Sequence, residues 1–220
     1  MEFISTRGKD GPISFETALL NGLARDGGLY LPVSWPRFNL DEIRQMRDLS
    51  YSDLAGLIMS RFTDGEINQV EMTSLARQSY ADFTHPDVAP LRPVVENIHI
   101  LELFHGPTIA FKDYAMQFLS RVFDRALTRQ KRTAVILGAT SGDTGSAALE
   151  AFKGRDSVDV FILFPDGRVS PVQQKQMTSI SAKGAHAIAL SGDLDDCQDL
   201  VKACFNDVAF RHEMNLSAVN

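Results

Sequence analysis

The sequence is poor in the side chains that bind metals or form disulfides. It has two cysteines and five scattered histidines among 220 residues. Because a structural zinc site gathers several such side chains at short spacings, the sequence gives no support for one. Cys197 and Cys204 lie two helical turns apart on an apolar stripe of one helical pattern, too far apart for a disulfide. We therefore expect two unpaired thiols.

Long apolar runs and a basic surface are also lacking. No stretch approaches the roughly 20 apolar residues that cross a bilayer, and the first seven residues lack the charged and apolar regions of a signal peptide. The formal net charge of −6 argues against general affinity for nucleic acid. These absences predict a cytoplasmic protein with no membrane and no nucleic-acid partner.

The residue patterns divide the chain at about residue 93. Residues 1–93 are predicted to form a mostly helical domain, with capping residues and glycines at the helix ends. Its predicted helices are 15–23, 40–46, 53–62 and 67–80. Pro86, Pro90 and Pro93 then interrupt the helical pattern.

Residues 94–220 alternate between strand-like and helical patterns. The strand-like runs are 98–104, 134–137, 158–164, 187–190 and 216–219. Such alternation is typical of a parallel sheet with right-handed crossovers, in which ligands bind beyond the carboxyl ends of the strands. The predicted fold class is therefore α/β, with a helical N-terminal segment before a parallel-sheet domain.

A glycine-rich segment, GATSGDTGS at 138–146, connects a strand-like run to a helical pattern. A turn of this kind directs several backbone N–H groups, and the positive end of the helix, at one point in space. An anionic group of a small molecule is the natural occupant, and phosphate and carboxylate both qualify. The alternative is a helix N-cap with a tight turn and no ligand.

Three better-known glycine-rich motifs do not fit this segment. Asp143 stands where a Walker loop has its second glycine, and no lysine follows. Three residues separate Gly138 from Gly142, which breaks the dinucleotide fingerprint. A nucleophile elbow needs a glycine two residues before Ser141, where Ala139 stands. The segment therefore predicts that an anionic group is bound but does not identify a reaction.

Lys112 lies at the start of a second notable segment. Helical spacing places it on the apolar side of the pattern that follows, whereas Asp113 and Gln117 are predicted to face the opposite, solvated side. The predicted apolar side also contains Ala115, Met116, Leu119 and Phe123. Since burying an ammonium group is costly, a desolvated lysine is suited to act as a nucleophile that forms a Schiff base. The alternative is that its amino group reaches water at the helix end.

Taken together, HGPTIAFKD at 105–113 and GATSGDTGS at 138–146 resemble the threonine synthase family. Several further segments are similar to that family, namely ISTR at 4–7, GPISF at 11–15, LARDGGLY at 23–30, FPDGRVSPVQQ at 164–174 and NLSAVN at 215–220. Either central motif alone would indicate only the broader class of pyridoxal-phosphate lyases. The resemblance implies the tryptophan synthase β-like fold.

The resemblance also implies an activity and a set of site residues. The family converts O-phosphohomoserine and water to L-threonine and phosphate with pyridoxal 5'-phosphate. Lys112 matches the lysine that holds this cofactor as a Schiff base, with Phe111 packed near the ring and Asp143 near its phenolic oxygen. The loop that receives the amino-acid carboxylate is matched by Thr140, Ser141, Gly142 and Thr144.

Arg168 is a further candidate, for the phosphate of the substrate. It follows a strand-like run, and a guanidinium group suits phosphate oxygens. The alternative is an exposed arginine in a turn.

The resemblance places two further elements of the family beyond Asn220, namely the loop that holds the cofactor phosphate and the residue that contacts the ring nitrogen. We therefore expect an N-terminal portion that does not turn over substrate by itself. Two alternatives stay open, a serine or threonine dehydratase-like pyridoxal-phosphate lyase and a non-catalytic ligand-binding module. The sequence leaves the oligomeric state open.

Overall fold

The chain divides into two units between Gly106 and Pro107, and the computed structural model describes residues 1–218 of it. The predicted boundary at residue 93 falls within the first unit, because a β-hairpin pairs residues on both sides of it. The assignment of domains 1–93 and 94–220 stays a prediction.

Four α-helices of the first unit begin at side-chain caps. Their bounds are α1 Phe15–Asn21, α2 Leu40–Gln45, α3 Tyr51–Ser60 and α4 Gln69–Tyr80, with a short 3-10 helix at Met46–Asp48. Ser14, Asn39, Ser50 and Asn68 each accept a hydrogen bond from a backbone N–H of the first turn. Such caps satisfy donors that the helix itself leaves free. The predicted helices match these bounds to within two residues at each end.

The α3 and α4 helices pack closely because Gly56 has no side chain. A Cβ atom at this position would lie 2.5 Å from the Cα atom of Thr73 on α4. Tyr51 and Tyr80 pack edge to face, with ring centroids 4.9 Å apart.

Two short antiparallel strands, β1 Phe3–Ser5 and β2 Tyr30–Pro32, were not predicted. They bring together the N-terminal segments that resemble the family. The Asp26 carboxylate accepts hydrogen bonds from the Ser5 hydroxyl at 2.6 Å and from the Gly28 N–H at 2.9 Å.

Asp10 forms the second carboxylate centre of this N-terminal network. It accepts a hydrogen bond from the Tyr30 hydroxyl at 2.6 Å and from the Arg25 backbone N–H at 2.8 Å. The Tyr30 hydrogen bond, followed by that of Arg25, lowers the pKa of Asp10 to about 2.

The hairpin of β3 Leu91–Val95 and β4 Ile98–Leu101 corrects one prediction. The run 98–104 was expected in the parallel sheet, whereas Ile98–Leu101 pairs antiparallel with β3 in a separate two-stranded sheet. Asn97 has a φ of 62°, which suits the tight turn between the strands. The error arises because an apolar run indicates a strand but not its partner or direction.

The second unit contains a four-stranded parallel sheet flanked by helices. Its strands are β5 Ala134–Ala139, β6 Val158–Pro165, β7 Ala185–Leu190 and β8 Leu216–Ser217. Its helices are α5 Lys112–Gln130, α6 Asp143–Phe152, α7 Pro171–Thr178, α8 Leu194–Asn206 and α9 Val208–Glu213. The predicted α/β class is therefore confirmed. Val219, which the prediction included in the last strand, lies outside the described residues, as does Asn220.

The strand order of the sheet is β7-β6-β5-β8, so β5, the first of these strands along the chain, lies at an inner position. The chain runs outward from β5 to β7 and then returns to the other side of β5. In open α/β sheets, ligands bind beyond the carboxyl ends of the strands where the order reverses in this way. The glycine-rich turn follows β5 and therefore lies at this position.

Candidate functional site

Thr140 sets the backbone conformation of the glycine-rich turn. Its side-chain oxygen accepts hydrogen bonds from the N–H groups of Gly142 and Gly145, both at 3.0 Å. Its own N–H donates to the Leu163 carbonyl on β6 at 3.0 Å. Thr140 is 4% exposed, so this hydroxyl is mainly part of the turn's interior.

Three other N–H groups of the turn remain available. Within residues 1–218, the backbone N–H groups of Ser141, Asp143 and Thr144 have no hydrogen-bond acceptor. They precede or begin α6, where the helix dipole also favours negative charge. The Ser141 side chain is exposed and that of Thr144 is half-buried. Together these groups can receive a carboxylate or a phosphate.

Two glycines allow the turn to pack against its neighbours. Gly142 has a φ of 153°, and a Cβ atom there would clash with the side chain of Gln173. At Gly145, a Cβ atom would lie 2.5 Å from the Thr140 methyl carbon and 2.7 Å from a methyl carbon of Ile162. The shape of the turn therefore depends on both positions.

A cavity of about 360 Å³ lies beside this turn. Thr140, Ser141 and Thr144 line one wall, and residues of α8 line the opposite wall. The α8 residues are Leu194, Gln198, Val201 and Lys202. Lys202 adds a positive charge to the lining, and the hydrogen bond from its Nζ to Asp199 raises the pKa of this amine. Among the predicted site residues, Thr140, Ser141 and Thr144 line this cavity. The other five are not part of its lining, namely Phe111, Lys112, Gly142, Asp143 and Arg168.

Lys112 is the first residue of α5 and is half-buried. Its Nζ lies 5.5 Å from the centroid of the Phe111 ring, a cation–π distance. Phe111 is 57% exposed and therefore offers an aromatic face next to the lysine.

The predicted faces of α5 are partly wrong. Asp113 and Gln117, expected on the solvated side, are buried, whereas Ala115, expected on the apolar side, is exposed. The reason lies in the loop before the helix. Asp113 accepts hydrogen bonds from the Thr108 N–H at 2.8 Å and from the Thr108 hydroxyl at 2.7 Å.

Burial raises the pKa of Asp113, and the hydrogen bonds from Thr108 oppose this shift. The carboxylate also accepts a hydrogen bond from the Ala110 N–H at 3.4 Å. Asp113 therefore fixes the loop to the first turn of α5, which positions its neighbour Lys112. The burial of this carboxylate by its own preceding loop is not visible on a helical wheel.

Two glutamines of α7 connect the glycine-rich turn with the loop before Lys112. The Gln173 amide donates a hydrogen bond to the carboxylate of Asp143, which is itself exposed. The Gln176 amide donates to the Thr108 carbonyl at 3.1 Å. Neither residue was among the predicted site residues. Gln173 lies in the segment 164–174 that resembles the family, whereas Gln176 on this short polar helix has no distinctive pattern.

Arg168 lies in the turn that follows β6. Its side chain is exposed, and its backbone N–H donates to the Pro165 carbonyl at 3.2 Å. No contact in the described part of the chain joins its guanidinium group to the glycine-rich turn.

Comparison with known proteins shows that the chain is similar to threonine synthases. A family model described as threonine synthase N terminus matches residues 2–80. Threonine synthase of Pseudomonas aeruginosa is 49% identical over the whole chain, which covers 47% of that protein. The chain is therefore similar to threonine synthase over its whole length. Threonine synthase of Schizosaccharomyces pombe is 44% identical over the whole chain, which covers 45% of it. The chain thus spans about half the length of the curated relatives it matches.

Solved structures of the threonine synthase family match the fold. The chain superposes on pyridoxal-phosphate-bound threonine synthase from Brucella melitensis with a TM-score of 0.95 and 52% identity. The match to yeast threonine synthase has a TM-score of 0.92 and 41% identity. All of this chain is covered in both cases, with 47% and 46% of the solved chains. The resemblance predicted from the sequence motifs is therefore confirmed.

The described residues contain neither a metal-binding cluster nor a membrane-spanning helix. Within residues 1–218, no group of three or more His, Cys, Asp or Glu side chains is placed to hold a metal ion. In the same range, no helix has the length and apolar character needed to cross a membrane. Cys197 and Cys204 are both free thiols.

Proposed function

We propose that this chain is part of a threonine synthase that converts O-phosphohomoserine and water to L-threonine and phosphate with pyridoxal 5'-phosphate. The observation that carries the proposal is the pairing of two features in one unit. Lys112 is the first residue of α5. The backbone N–H groups of Ser141, Asp143 and Thr144, here called the cradle, lie just before and at the start of α6. Both lie in segments that resemble the family. The activity is proposed for the gene product that contains residues 1–220.

The side chains near Lys112 and the turn fit pyridoxal phosphate by their chemistry. A primary amine, an exposed aromatic ring and a carboxylate suit its aldehyde, its ring and its phenolic edge, respectively. Lys112, Phe111 and Asp143 would supply these groups. When bound, the cofactor supplies an electron sink that stabilises negative charge on the substrate's carbon atoms.

The cradle would hold the substrate's carboxylate. The N–H groups of Ser141, Asp143 and Thr144 have no acceptor within residues 1–218. The Ser141 and Thr144 hydroxyls can add hydrogen bonds, and the hydrogen of the Thr140 hydroxyl is also free to donate. Gly142 has no side chain, which lets Gln173 pack against the turn that presents these donors. Fixed donors of this kind orient a substrate without first having to reorganise.

Proton transfer and phosphate binding would fall to two other side chains. Lys112 Nζ, at the first turn of α5, can take a proton from a substrate carbon and return it. Arg168 is exposed and can present its guanidinium group to the substrate's phosphate. The cytoplasmic location predicted from the sequence stays part of this proposal.

A two-substrate assay tests the reaction. The purified gene product is incubated with O-phosphohomoserine, and phosphate and threonine are measured; a parallel sample receives threonine, and ammonia and keto acid are measured. We expect equal amounts of phosphate and threonine in the first sample. Ammonia and keto acid from threonine, without phosphate release from O-phosphohomoserine, would contradict the proposal in favour of a dehydratase. The variant Lys112→Ala should release neither product from O-phosphohomoserine. Lys153→Ala is its control, since Lys153 forms a surface ion pair with Glu150.

A further inference from the structure

The α7 helix presents three side chains to the segments that contain the site. It begins at Pro171 after the N-cap residue Ser170. Gln176 and Met177 follow Gln173 by three and four residues and therefore lie on the same side of the helix as Gln173. Met177 is 1% exposed, and its sulfur would lie 3.1 Å from a Cβ atom at Gly145. This contact anchors α7 against the first turn of α6.

Gln173 reaches the glycine-rich turn from this anchored helix. Its Nε2 donates to Asp143, and its side chain occupies the space that a Cβ atom on Gly142 would need. The Ser170 hydroxyl lies 2.9 Å from Gln173 Oε1, where it can only donate. This hydrogen bond fixes the orientation of the amide, so the Nε2 end faces Asp143.

Gln176 reaches the loop that leads to Lys112. Its Nε2 donates to the Thr108 carbonyl at 3.1 Å, and Thr108 in turn donates twice to the buried Asp113. One face of α7 therefore contacts the glycine-rich turn and the Lys112 loop at the same time.

The amide group is well suited to this contact with Asp143. A lysine or arginine in place of Gln173 would neutralise the carboxylate, and a glutamate would repel it. An amide N–H directs the carboxylate by a hydrogen bond and leaves its negative charge in place.

Building on the proposed function, we propose that Gln173 and Gln176 are positioning residues for the reaction. Gln173 orients the Asp143 carboxylate at the start of α6, and Gln176 holds the Thr108 loop in front of Lys112. Neither glutamine is required to touch the substrate.

The sharpest variant is Gln173→Glu, which keeps the shape of the side chain but replaces the donor with a negative acceptor. The double variant Gln173→Glu with Asp143→Asn restores a hydrogen bond of reversed direction, from the new amide to the new carboxylate. Gln174→Glu is the matched control, because the Gln174 side chain has no hydrogen-bond partner within residues 1–218. Gln176→Glu tests the second contact.

The first readout is amide hydrogen exchange of the segment 138–146 in the cofactor-free chain. We expect Gln173→Glu to speed this exchange by about threefold to tenfold, the size of a lost hydrogen bond. The double variant should recover most of the protection, and Gln174→Glu should behave as the wild type. Equal exchange in Gln173→Glu and Gln174→Glu would overturn the proposal for Gln173.

The second readout uses the gene product loaded with pyridoxal phosphate. We expect Gln173→Glu to change the ratio of the cofactor's absorption bands and to lower kcat by about tenfold to a hundredfold, with a smaller change in KM. For Gln176→Glu, the rate of cofactor attachment to Lys112 should fall several-fold. An unchanged rate would overturn the role of Gln176.

Melting temperatures separate positioning from a general loss of structure. If Gln173→Glu lowers the melting temperature and the double variant restores neither spectrum nor exchange, Gln173 is only structural and the proposal fails. A different result would contradict the proposed function, namely that the wild-type protein binds no cofactor at Lys112. In that case the exchange experiment on the cofactor-free chain still decides the role of Gln173.

Discussion

The side-chain oxygen of Thr140 lies 3.0 Å from the backbone nitrogen of Gly145 and accepts its hydrogen. The same oxygen accepts the N–H of Gly142. The turn is therefore held in shape by its own threonine, and the N–H groups that remain free are those of Ser141, Asp143 and Thr144 within residues 1–218. A preformed turn of this kind can bind an anion with little loss of conformational entropy.

We expect Thr140→Val to destabilise the chain. Valine has nearly the same shape but no acceptor, so it leaves two buried N–H groups unpaired at a cost of about 1–3 kcal/mol. Thr140→Ser keeps the acceptor and removes only a methyl group, which should cost about 1 kcal/mol. Urea denaturation of the purified chain measures both. Equal stability of the two variants would show that the Thr140 hydrogen bonds contribute little.

Gly145→Ala should also be destabilising. The new Cβ atom would lie 2.5 Å from the Thr140 methyl carbon and 2.7 Å from Ile162, too close without movement of the backbone. Overpacking of this kind typically costs about 1–3 kcal/mol. Gly138→Ala is the matched control, because its Cβ atom would meet Ile162 at an ordinary 3.5 Å. If both variants unfold at the same urea concentration, the packing at Gly145 is looser than described.

The N-terminal network predicts a pH dependence of stability. The folded pKa of Asp10, about 2, lies below its ordinary value of 3.8. Its contribution to stability is therefore present above pH 3.8 and is lost as the pH falls toward 2. Tyr30→Phe removes the hydrogen bond with the largest effect on this pKa. We expect this variant to lose less stability than the wild type between pH 4 and pH 2.

Acid titrations of the unfolding free energy measure this difference. Asp41→Asn is a suitable control, since Asp41 is 81% exposed and its ion pair is with Arg44 on its own helix. If the unfolding free energies of the wild type and Tyr30→Phe fall equally between pH 4 and pH 2, the ionisation of Asp10 does not contribute to stability as described.

Lys112→Ala should remove cofactor binding and leave the fold intact. The lysine head is half-buried at a helix start, so its loss should change stability by about 0.5 kcal/mol or less. We expect the gene product carrying this variant to be colourless after incubation with pyridoxal phosphate and to melt at nearly the wild-type temperature. Retained yellow colour and activity would refute the assignment.

Local patterns were sufficient for much of the fold. Ser14, Asn39, Ser50 and Asn68 cap helices close to where the sequence placed them, because capping depends on nearby residues. The glycine-rich turn was also predictable, since a strand end, small residues and a helix start occur in direct succession. The motifs also predicted the resemblance to threonine synthase, and the comparisons confirm this similarity.

Contacts between distant residues were not predictable in the same way. The partner of β4 is decided by the hairpin turn at Asn97, whereas its apolar run fits either kind of sheet. Asp113 is buried because Thr108 folds back onto it, which a helical wheel does not represent. The contact between Gln173 and Asp143 joins two helices that are far apart in sequence. Such pairs become visible only when the chain is folded.

The central claim is that Lys112 binds pyridoxal phosphate. The most direct test is to incubate the gene product that contains residues 1–220 with pyridoxal phosphate, reduce it with borohydride and map the modified peptides by mass spectrometry. We predict a single adduct, on Lys112, at one per chain, with Lys153 and Lys202 unmodified. An adduct on another lysine, or no adduct under conditions where the protein is folded, would contradict the account.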